Sequence, residues 1–438
     1  MYQITQQQYN ILLELCKYDD VYVVGGYVRD ILLGMNSKDI DVLAMKNAKE
    51  LAIELADKHG GSFIVLDEEH NVYRVVFTTL GVSIDIAGPK GPTLVDDLRS
   101  RDFTINGLAI TVKDLIDFHK TYCVESKLNC ITIDVVDGIK DITENRLAVV
   151  YDDAFLDDPL RILRGVRLAA THGFDISDKT IALMNEAKSL IFNVSYERIR
   201  EEIWSILALS NSSESMKFFD YDVPLLRDLL GIRSYDDKQS LTRTIELLCQ
   251  LEGILNEQLV NGSIRFKQYL MEQLSCDKSR YPLLKFALLI YDANYKDVGN
   301  IAEKWKLSKR EANILTCLVS NCYKENIAID FKEADKAQLY TLYETLGEEM
   351  PGVIILQQII SNNKINRVCF QFIEKYLAFY DALETLPPLL TGKQLIDSLC
   401  IPPGPQVGSL LKLVRKAQIT GQINSMEEAM IYLGTFKK

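Results

Sequence analysis

The periodicity of the apolar residues changes once along the chain, and this change restricts the folds open to it. From about residue 20 to 120, short β-rich runs alternate with helical spacing, and from about Leu147 onward helical spacing continues to the C-terminus. The pattern predicts an α/β head followed by an all-α remainder. Strands are expected at residues 21–24, 40–43, 61–66, 73–77 and 82–86, and helices at 28–33 and 48–56.

The composition is that of a water-soluble multidomain protein. The 438 residues suffice for about two to four domains, and no apolar run approaches the roughly 20 residues of a membrane span. The polar start after Met1 lacks the apolar core of a signal peptide, so a cytoplasmic location without membrane association is expected. Nine scattered cysteines without a CxxC pair indicate reduced thiols. The formal charge of −12 is unusual for a nucleic-acid enzyme and leaves a small-molecule substrate open as an alternative.

Two acidic residues, Asp39 and Asp41, lie two positions apart in a predicted strand, so their side chains project from the same face. Adjacent like charges repel each other unless a cation lies between them. Mg²⁺ at such a pair would serve nucleotidyl transfer, in which metal ions activate the attacking hydroxyl and bind the triphosphate. Asp85, at the end of a later predicted strand, is a candidate third metal ligand, although a solvated strand end explains it equally well.

A Gly-Gly turn, Gly25-Gly26, joins the first predicted strand to a helix. Bare backbone N–H groups at such a turn can approach a phosphate, although most turns of this kind are purely structural. The segment from Gly25 to Gly34, followed by Asp39-Ile40-Asp41, resembles the first motif of the class II tRNA nucleotidyltransferases and bacterial poly(A) polymerases. These enzymes belong to the polymerase β-like superfamily.

A second motif strengthens this resemblance. Residues 101–106, Arg-Asp-Phe-Thr-Ile-Asn, are similar to the family's RRDFTINA motif, with Ser100 in place of its first arginine. The resemblance implies a polymerase β-like head with Mg²⁺ as cofactor, in which Asp39 and Asp41 are the catalytic and metal-binding residues. It also implies a set of nucleotide-binding residues in these two motifs: Gly25, Gly26, Arg29, Arg101, Asp102 and Asn106.

A run of charged residues follows one side of the helix predicted after Pro159: Asp158, Arg161, Arg164 and Arg167. The simple interpretation is an i,i+3 ion pair beside two solvated arginines. Alternatively, a carboxylate beside a guanidinium can hydrogen-bond the Watson–Crick edge of cytosine or adenine. The stretch resembles the family's EDxxR motif with Asp157 in place of glutamate. This implies base recognition by Asp158 and Arg161, and nucleotide contacts by Arg164 and Arg167.

Further segments extend the resemblance along the chain. Residues 134–142 resemble the family's flexible connecting segment, and residues 196–202 its ERxxxE element, for which a surface charge run is an equally good explanation. Near a Gly-Pro turn in the tail, four basic residues could contact tRNA phosphates, although solvated side chains are the simpler explanation: Lys393, Lys412, Arg415 and Lys416. The expected segments are a nucleotidyltransferase catalytic head (1–140), a helical neck with the base-recognition motif (141–210), a helical body (211–385) and a helical, tRNA-binding tail (386–438).

The predicted function is template-independent addition of CMP to the 3′ end of tRNA by a two-metal mechanism, with CTP as substrate and ATP as an open second one. Only a short link joins Asp85 to Arg99, where complete CCA-adding relatives usually carry a longer segment, and this favours CC addition. The alternatives are complete CCA addition, poly(A) synthesis, an inactive tRNA-binding module and a small-molecule nucleotidyltransferase. No protein partner is predicted.

Overall fold

The computed structural model divides the chain into two compact units, which are described separately. Unit 1 comprises Met1–Glu202 and Tyr221–Pro224, and unit 2 comprises Ile203–Asp220 and Leu225–Lys438. The structure describes residues 5–37, 39–78, 81–120, 128–231, 238–275, 278–292, 295–322, 331–362 and 365–434. Lys38, between Ser37 and Asp39, lies outside the described residues.

Unit 1 is built on a seven-stranded mixed sheet with the strand order β3-β4-β5-β2-β1-β6-β7. All pairs are antiparallel except β2 with β5, which is parallel. The strands are β1 (Val21–Val24), β2 (Asp39–Ala44), β3 (Ser62–Asp67), β4 (Val72–Phe77), β5 (Val82–Ala87), β6 (Leu108–Thr111) and β7 (Ile133–Asp134). The five predicted strands are confirmed to within a residue at each end, and β6 and β7 extend the sheet beyond them.

The helices of unit 1 cover the sheet and continue past it. Apolar residues alternate along β4 and β5, and their buried members form one core with the helices. The helices are α1 (Gln6–Leu15), α2 (Gly25–Leu32), α3 (Ala48–His59), α4 (Leu94–Arg99), α5 (Val112–Lys120), α6 (Leu128–Ile131), α7 (Gly138–Thr143), α8 (Ala154–Asp157), α9 (Arg161–His172) and α10 (Asp178–Ala187), with 3₁₀ turns at Thr104–Asn106 and Lys188–Asn193. Helix α11 (Tyr196–Leu207) runs across the boundary between the units.

The expectation of an all-α remainder after Leu147 needs a small correction. Strand β8 (Arg146–Leu147) pairs in parallel with β9 (Asp175–Ile176), and β10 (Gln273–Ser275) pairs antiparallel with β11 (Lys278–Ser279). These strands have two or three residues, so they are too short for a period of two to be visible in the sequence.

Unit 2 is otherwise helical. Its helices are α12 (Ser212–Tyr221), α13 (Leu226–Leu230), α14 (Lys238–Asn261), α15 (Ile264–Met271), α16 (Arg280–Leu289), α17 (Tyr295–Lys304), α18 (Lys309–Asn321), α19 (Lys336–Leu346), α20 (Met350–Ile360), α21 (Arg367–Thr385), α22 (Gly392–Leu399), α23 (Pro405–Ile419) and α24 (Met426–Gly434), with a 3₁₀ turn at Gly347–Glu349. Every residue of α16 is buried. Of the helices in the described residues, none has the length and apolar character needed to cross a membrane.

Of the four basic residues predicted near the tail's Gly-Pro turn, Arg415 is already engaged. Its guanidinium donates to the carbonyl oxygens of Leu383 at 3.0 Å and Leu386 at 2.7 Å, at the C-terminal end of α21. The Leu383 carbonyl also accepts from the N–H of Leu386, the C-cap residue, so Arg415 adds a side-chain donor to the cap of α21. A phosphate would have to compete for this guanidinium.

Candidate active site

The acidic pair lies on strand β2, in the middle of the sheet. Ile40 and Val42 are buried in the core, whereas Asp39 is exposed and Asp41 half-buried on the opposite face, as the alternation predicts. The parallel pairing of β2 with β5 places Asp41 beside Asp85 and Asp39 beside Ser83. Three carboxylates therefore project from one face of two adjacent strands.

The surroundings of these carboxylates differ. Burial, the charge of Asp85 and, more weakly, that of Asp39 raise the pKa of Asp41 to about 6, although Arg101 and Arg164 oppose this rise. Asp85 accepts two hydrogen bonds from Arg74, at 2.6 and 2.7 Å, and Asp39 accepts one from the Ser83 hydroxyl.

This donor set fits a magnesium ion. Among the described residues, no three His, Cys, Asp or Glu side chains form a ready-made metal site, and Asp85 is bound by Arg74. Mg²⁺ is commonly bound by one or two carboxylates, with substrate phosphates and water completing its octahedron. Asp39 and Asp41 can supply that pair, and the raised pKa of Asp41 indicates a carboxylate whose charge lacks compensation.

The Gly-Gly turn brings Asp41 and two arginines to the start of α2. Gly25 has a φ of +66°, which favours glycine, and a Cβ there would lie 2.9 Å from Arg101 Nη1 and 3.4 Å from Asp41 Oδ2. At Gly26 a Cβ would lie 3.4 Å from Arg29 Nη2. The two glycines thus leave room for Arg101, Arg29 and Asp41 to converge on bare backbone.

A chain of hydrogen bonds links α2 to α9. Arg29 donates to Asp30 through Nη2 at 2.7 Å and to Asn106 Oδ1 at 2.7 Å, and Asn106 Nδ2 donates to Asp102 at 3.0 Å. Asp102 in turn pairs with Arg164 at 2.8 Å. Burial would raise the pKa of Asp102, but Arg164 and the hydrogen bonds hold it below its usual value. Asp102 therefore carries a negative charge, and it lies between its partners Asn106 and Arg164.

A cavity of about 290 Å³ opens beside this chain of hydrogen bonds. Three acid–arginine pairs lie along its wall: Asp97 with Arg101 at 2.9 Å, Asp102 with Arg164 at 2.8 Å and Asp158 with Arg198 at 2.8 Å. A larger adjoining cavity of about 750 Å³ shares part of this wall, including Asp158, Arg161 and Arg198.

Arg161 is held differently from the other arginines. Its Nη1 donates to the hydroxyl of Tyr151 at 2.7 Å and to the carbonyl of Ala154 at 3.2 Å, and its Nη2 reaches the carbonyl of Ser100 at 3.4 Å. The Tyr151 hydroxyl itself donates to Asp157 at 2.7 Å. Asp157, which replaces the family's glutamate, thus reaches Arg161 through a tyrosine.

The structure brings half of the predicted nucleotide-binding residues together in one cavity. Arg101, Asp102, Asp158, Arg161 and Arg164 line the smaller cavity. The other predicted nucleotide-binding residues lie outside its lining: Gly25, Gly26, Arg29, Asn106 and Arg167.

Helix α11 provides partners for the charged residues of the EDxxR segment. Arg167 pairs with Glu202 at 2.6 Å, and Arg198 with Asp158. Two residues of the ERxxxE element therefore form ion pairs with the EDxxR segment.

Among the cavity residues that were not predicted from the sequence are His70, Lys90 and Tyr151. Lys90 is a lone cation in the Gly-Pro-rich link after β5, and that position was its only signal. His70, in the turn between β3 and β4, and Tyr151, ten residues before its partner Arg161, had no signal in the sequence.

Three family models match successive parts of the chain. The model described as the poly A polymerase head domain matches residues 21–148, and a probable RNA and SrmB-binding site of polymerase A matches 173–218. A putative tRNA nucleotidyltransferase domain 2 matches 283–433. The chain belongs to the family of tRNA nucleotidyltransferases and bacterial poly(A) polymerases.

Curated members of this family align along nearly the whole chain. A protein named CC-adding tRNA nucleotidyltransferase from Geobacter sulfurreducens is 29% identical over 94% of this chain and 91% of its own length. A Synechocystis protein of the same name is 28% identical, with 94% and 92% coverage. A CCA-adding enzyme from Lactococcus lactis is 27% identical, also with 94% and 92% coverage.

Solved structures of family members share the fold. A CCA-adding enzyme in complex with ATP superimposes with a TM-score of 0.70 at 21% identity, covering 99% of this chain and 97% of that one. The Thermotoga maritima CCA-adding enzyme complexed with tRNA gives a TM-score of 0.66 at 21% identity, with 99% and 97% coverage. The predicted fold class, a polymerase β-like head followed by helical segments, is confirmed.

Proposed function

We propose that this protein transfers nucleotides from CTP to the 3′ end of tRNA without a template and releases pyrophosphate. The observation that carries the proposal is the convergence of Asp41, Arg101 and Arg29 on the Gly-Gly turn, with Asp39 on the same face of β2. Carboxylates for a cation and guanidinium groups for phosphates are what nucleotidyl transfer requires at one place. The names of the aligned relatives support tRNA as the acceptor.

Asp39 and Asp41 would hold Mg²⁺ in this reaction. When bound, the metal lowers the pKa of the attacking 3′-hydroxyl and neutralises charge on the triphosphate. Arg101, fixed by Asp97, and Arg164, fixed by Asp102, are oriented toward the cavity before any substrate arrives. Such preorganised cations stabilise the charge that develops on the leaving pyrophosphate.

We assign base recognition to Asp158 and Arg161, which line both cavities. A carboxylate accepts a hydrogen bond from the exocyclic amine of cytosine, and a guanidinium donates to its ring nitrogen and carbonyl oxygen. The contacts from Tyr151, Ala154 and Ser100 fix the plane of the Arg161 guanidinium. We therefore propose that protein side chains select the base, within a neck over residues 141–210 that joins a head (1–140) to a body (211–385) and a tail (386–438).

We infer that the enzyme adds C residues and leaves the final A to another enzyme. The link between β5 and α4 has six residues, 88–93, which leaves little chain for a movable segment beside the nucleotide. The two CC-adding relatives at 29% and 28% identity support this inference. The relative from Lactococcus lactis is named CCA-adding at 27% identity, so ATP remains the substrate to test.

The decisive experiment incubates the purified protein with tRNA lacking CCA, Mg²⁺, and labelled CTP or ATP, separately and together. Two added C residues and no A would support CC addition, whereas C-C-A would establish the complete activity. A long A tract from ATP alone would instead identify a poly(A) polymerase and refute the tRNA proposal.

Variants of the acidic pair separate catalysis from mere RNA binding. Asp39→Asn and Asp41→Asn should reduce incorporation by at least about 10³-fold, because each removes a charge that the metal requires. Asp57→Asn, an exposed aspartate on α3, is the matched control. If the wild-type protein binds tRNA but incorporates nothing, the inactive-module alternative is correct.

A further inference from the structure

The smaller cavity is lined by more cations than its acids neutralise. Arg101, Arg164 and Arg198 each form an ion pair with an aspartate of the same cavity. Arg161 and Lys90 have no carboxylate partner among the described residues, and Arg161 is hydrogen-bonded to neutral oxygens. Among the described residues of this wall, Lys90 therefore retains all the donors of its ammonium group for a ligand.

The backbone fixes the position of Lys90. Its N–H donates to Asp97 Oδ1 at 3.0 Å, and the other oxygen of that carboxylate accepts from Arg101 Nη2 at 2.9 Å. On either side, the Gly88 N–H donates to the carbonyl of Asn71 at 3.0 Å, and Gly91 has a φ of +113°. The exposed side chain thus extends from an anchored link, beside an arginine that shares its anchor.

Lys90 and Ser100 line the same larger cavity. Ser100 stands where the similar family motif has its first arginine, so this wall lacks one guanidinium. We propose that Lys90 binds a phosphate group in this site and supplies the positive charge that Ser100 does not. This inference rests on the proposed function and adds a binding residue to it.

The chemistry of the ligand is that of a phosphate, which has two possible sources. Lys90 lines both cavities, so its ammonium could contact the triphosphate of the incoming nucleotide or a phosphodiester of the RNA acceptor. An ammonium acts on either as a point charge with three donors. If Lys90 contacts the triphosphate, removing its charge lowers the affinity for CTP. If it contacts the RNA, removing its charge lowers the affinity for tRNA.

The test compares Lys90→Ala, Lys90→Gln and Lys90→Arg with Lys113→Ala, an exposed lysine on α5 that lines neither cavity. In the first arm, equilibrium binding of CTP and of inorganic tripolyphosphate is measured with Mg²⁺. In the second arm, binding of tRNA lacking CCA is measured over a series of salt concentrations. Neither arm requires turnover, so the inference can be judged even if the protein adds no nucleotide.

A triphosphate contact predicts that Lys90→Ala and Lys90→Gln weaken CTP and tripolyphosphate about fivefold, while Lys90→Arg stays near wild type. An RNA contact predicts instead a similar loss for tRNA and a salt dependence shallower by about one unit. Unchanged affinity in both arms overturns the inference, as does an equal loss in Lys90→Arg. If the wild-type protein binds CTP and tRNA but adds no nucleotide, this result would count only against the proposed function.

Discussion

The protonation of the Asp41 carboxylate should be measurable in solution. Its pKa is raised to about 6 by burial and by the nearby charge of Asp85. Because a carboxylate must lose its proton before it can bind a cation, protons and Mg²⁺ compete for this side chain. Protons compete appreciably with Mg²⁺ only at pH values at which Asp41 of the folded protein is protonated, which is below about pH 6.

We therefore expect the affinity for Mg²⁺ to be nearly constant from pH 8 to 7 and to fall by up to about tenfold per pH unit below pH 6. Calorimetric titration of the protein with Mg²⁺ in the absence of nucleotide measures it. Asp41→Asn should bind Mg²⁺ weakly at every pH and lose this dependence. Constant affinity in the wild type down to pH 5 would argue against Asp41 as a ligand.

Tyr151 should act on base choice through Arg161. Tyr151→Phe removes the hydroxyl that joins Asp157 to Arg161 but keeps the ring, so the guanidinium would keep hydrogen bonds only to two carbonyl groups. We expect kcat/KM for CTP to fall about fivefold and the preference for CTP over UTP to narrow, since a hydrogen bond to a charged group contributes about 1 kcal/mol at a half-exposed site.

Single-nucleotide addition with CTP and UTP measures this effect. Tyr343→Phe, which removes a hydroxyl bonded to Glu384 in unit 2, is the control and should behave as wild type. An equal loss for CTP and UTP in Tyr151→Phe would mean that the tyrosine supports the fold and not the choice of base.

At this scale the sequence predicted the residues that form local patterns. The spacing of Asp39 and Asp41 determines that they share a face, and this is independent of the rest of the fold. The sequence could not predict that Arg74, eleven residues before Asp85, binds that carboxylate. It also could not predict that Arg161 donates a hydrogen bond to the hydroxyl of Tyr151. Those contacts arise from strand pairing and helix packing, which leave no local signal.

At the scale of elements, α7 shows how closely the connecting segment is packed. Asp134 accepts hydrogen bonds from the N–H groups of Val136, Gly138 and Ile139, all between 2.9 and 3.0 Å, and so caps the helix. A Cβ on Gly138 would lie 2.2 Å from the carbonyl oxygen of Thr104, which belongs to the RDFTIN motif. The helix thus lies against the backbone of that motif.

Gly138→Ala should consequently destabilise the protein by about 2 kcal/mol or more, because backbone atoms cannot move aside as a flexible side chain could. Gly253→Ala, in the exposed middle of α14 with no atom near the added methyl group, should instead stabilise by roughly 0.5–1 kcal/mol. Urea unfolding of both variants measures the difference. Equal stability of the two would contradict the close packing of α7.

The elements that could be predicted were those with several repeats of a period. Strands β2, β4 and β5 each have six residues, so the alternation of buried and exposed positions was readable. Strand β6 is buried at three of its four positions and follows a 3₁₀ turn, which leaves no alternation to recognise. Strand β7 has two residues and is defined only by its pairing with β6.

At the scale of the whole molecule, unit 2 contains a buried ion pair remote in sequence from every site residue. The ammonium of Lys285, on the fully buried α16, donates to Glu252 at 3.0 Å and to the carbonyl of Leu209 at 2.6 Å. Glu252 also accepts hydrogen bonds from Ser212 and Ser213. Burial lowers the pKa of Lys285 to about 8, although the charge of Glu252 opposes this.

Lys285→Met should lower the free energy of unfolding by about 3 kcal/mol, because it leaves a buried carboxylate without its cation. The residues assigned to the nucleotide all lie in unit 1, so the affinity for CTP at 20 °C should not change. Urea unfolding and CTP titration test the two statements. Lys309→Met, at an exposed position on α18, is the control, and the double variant Lys285→Met/Glu252→Leu should regain part of the loss.

The overall charge of −12 proved a poor guide to the site. It left a small-molecule substrate open as an alternative, yet the smaller cavity is lined by four arginines and a lysine. Net charge is a sum over the whole surface, whereas binding of a polyanion depends on the few cations within a Debye length of about 8–10 Å. Electrostatic arguments from composition therefore need the positions of the charges.

The parallel pairing of β2 with β5 ties the acidic face to the core beneath it. The same ladder that sets Asp41 beside Asp85 also turns Ile84 and Ile86 inward. A single residue inserted within β5 would shift its pairing register by one position, so that Ile84 and Ile86 would be exposed and Asp85 buried. Lengthening the chain after Ala87, by contrast, would leave the ladder untouched. The link can accordingly change in length, while the strand before it tolerates only substitution.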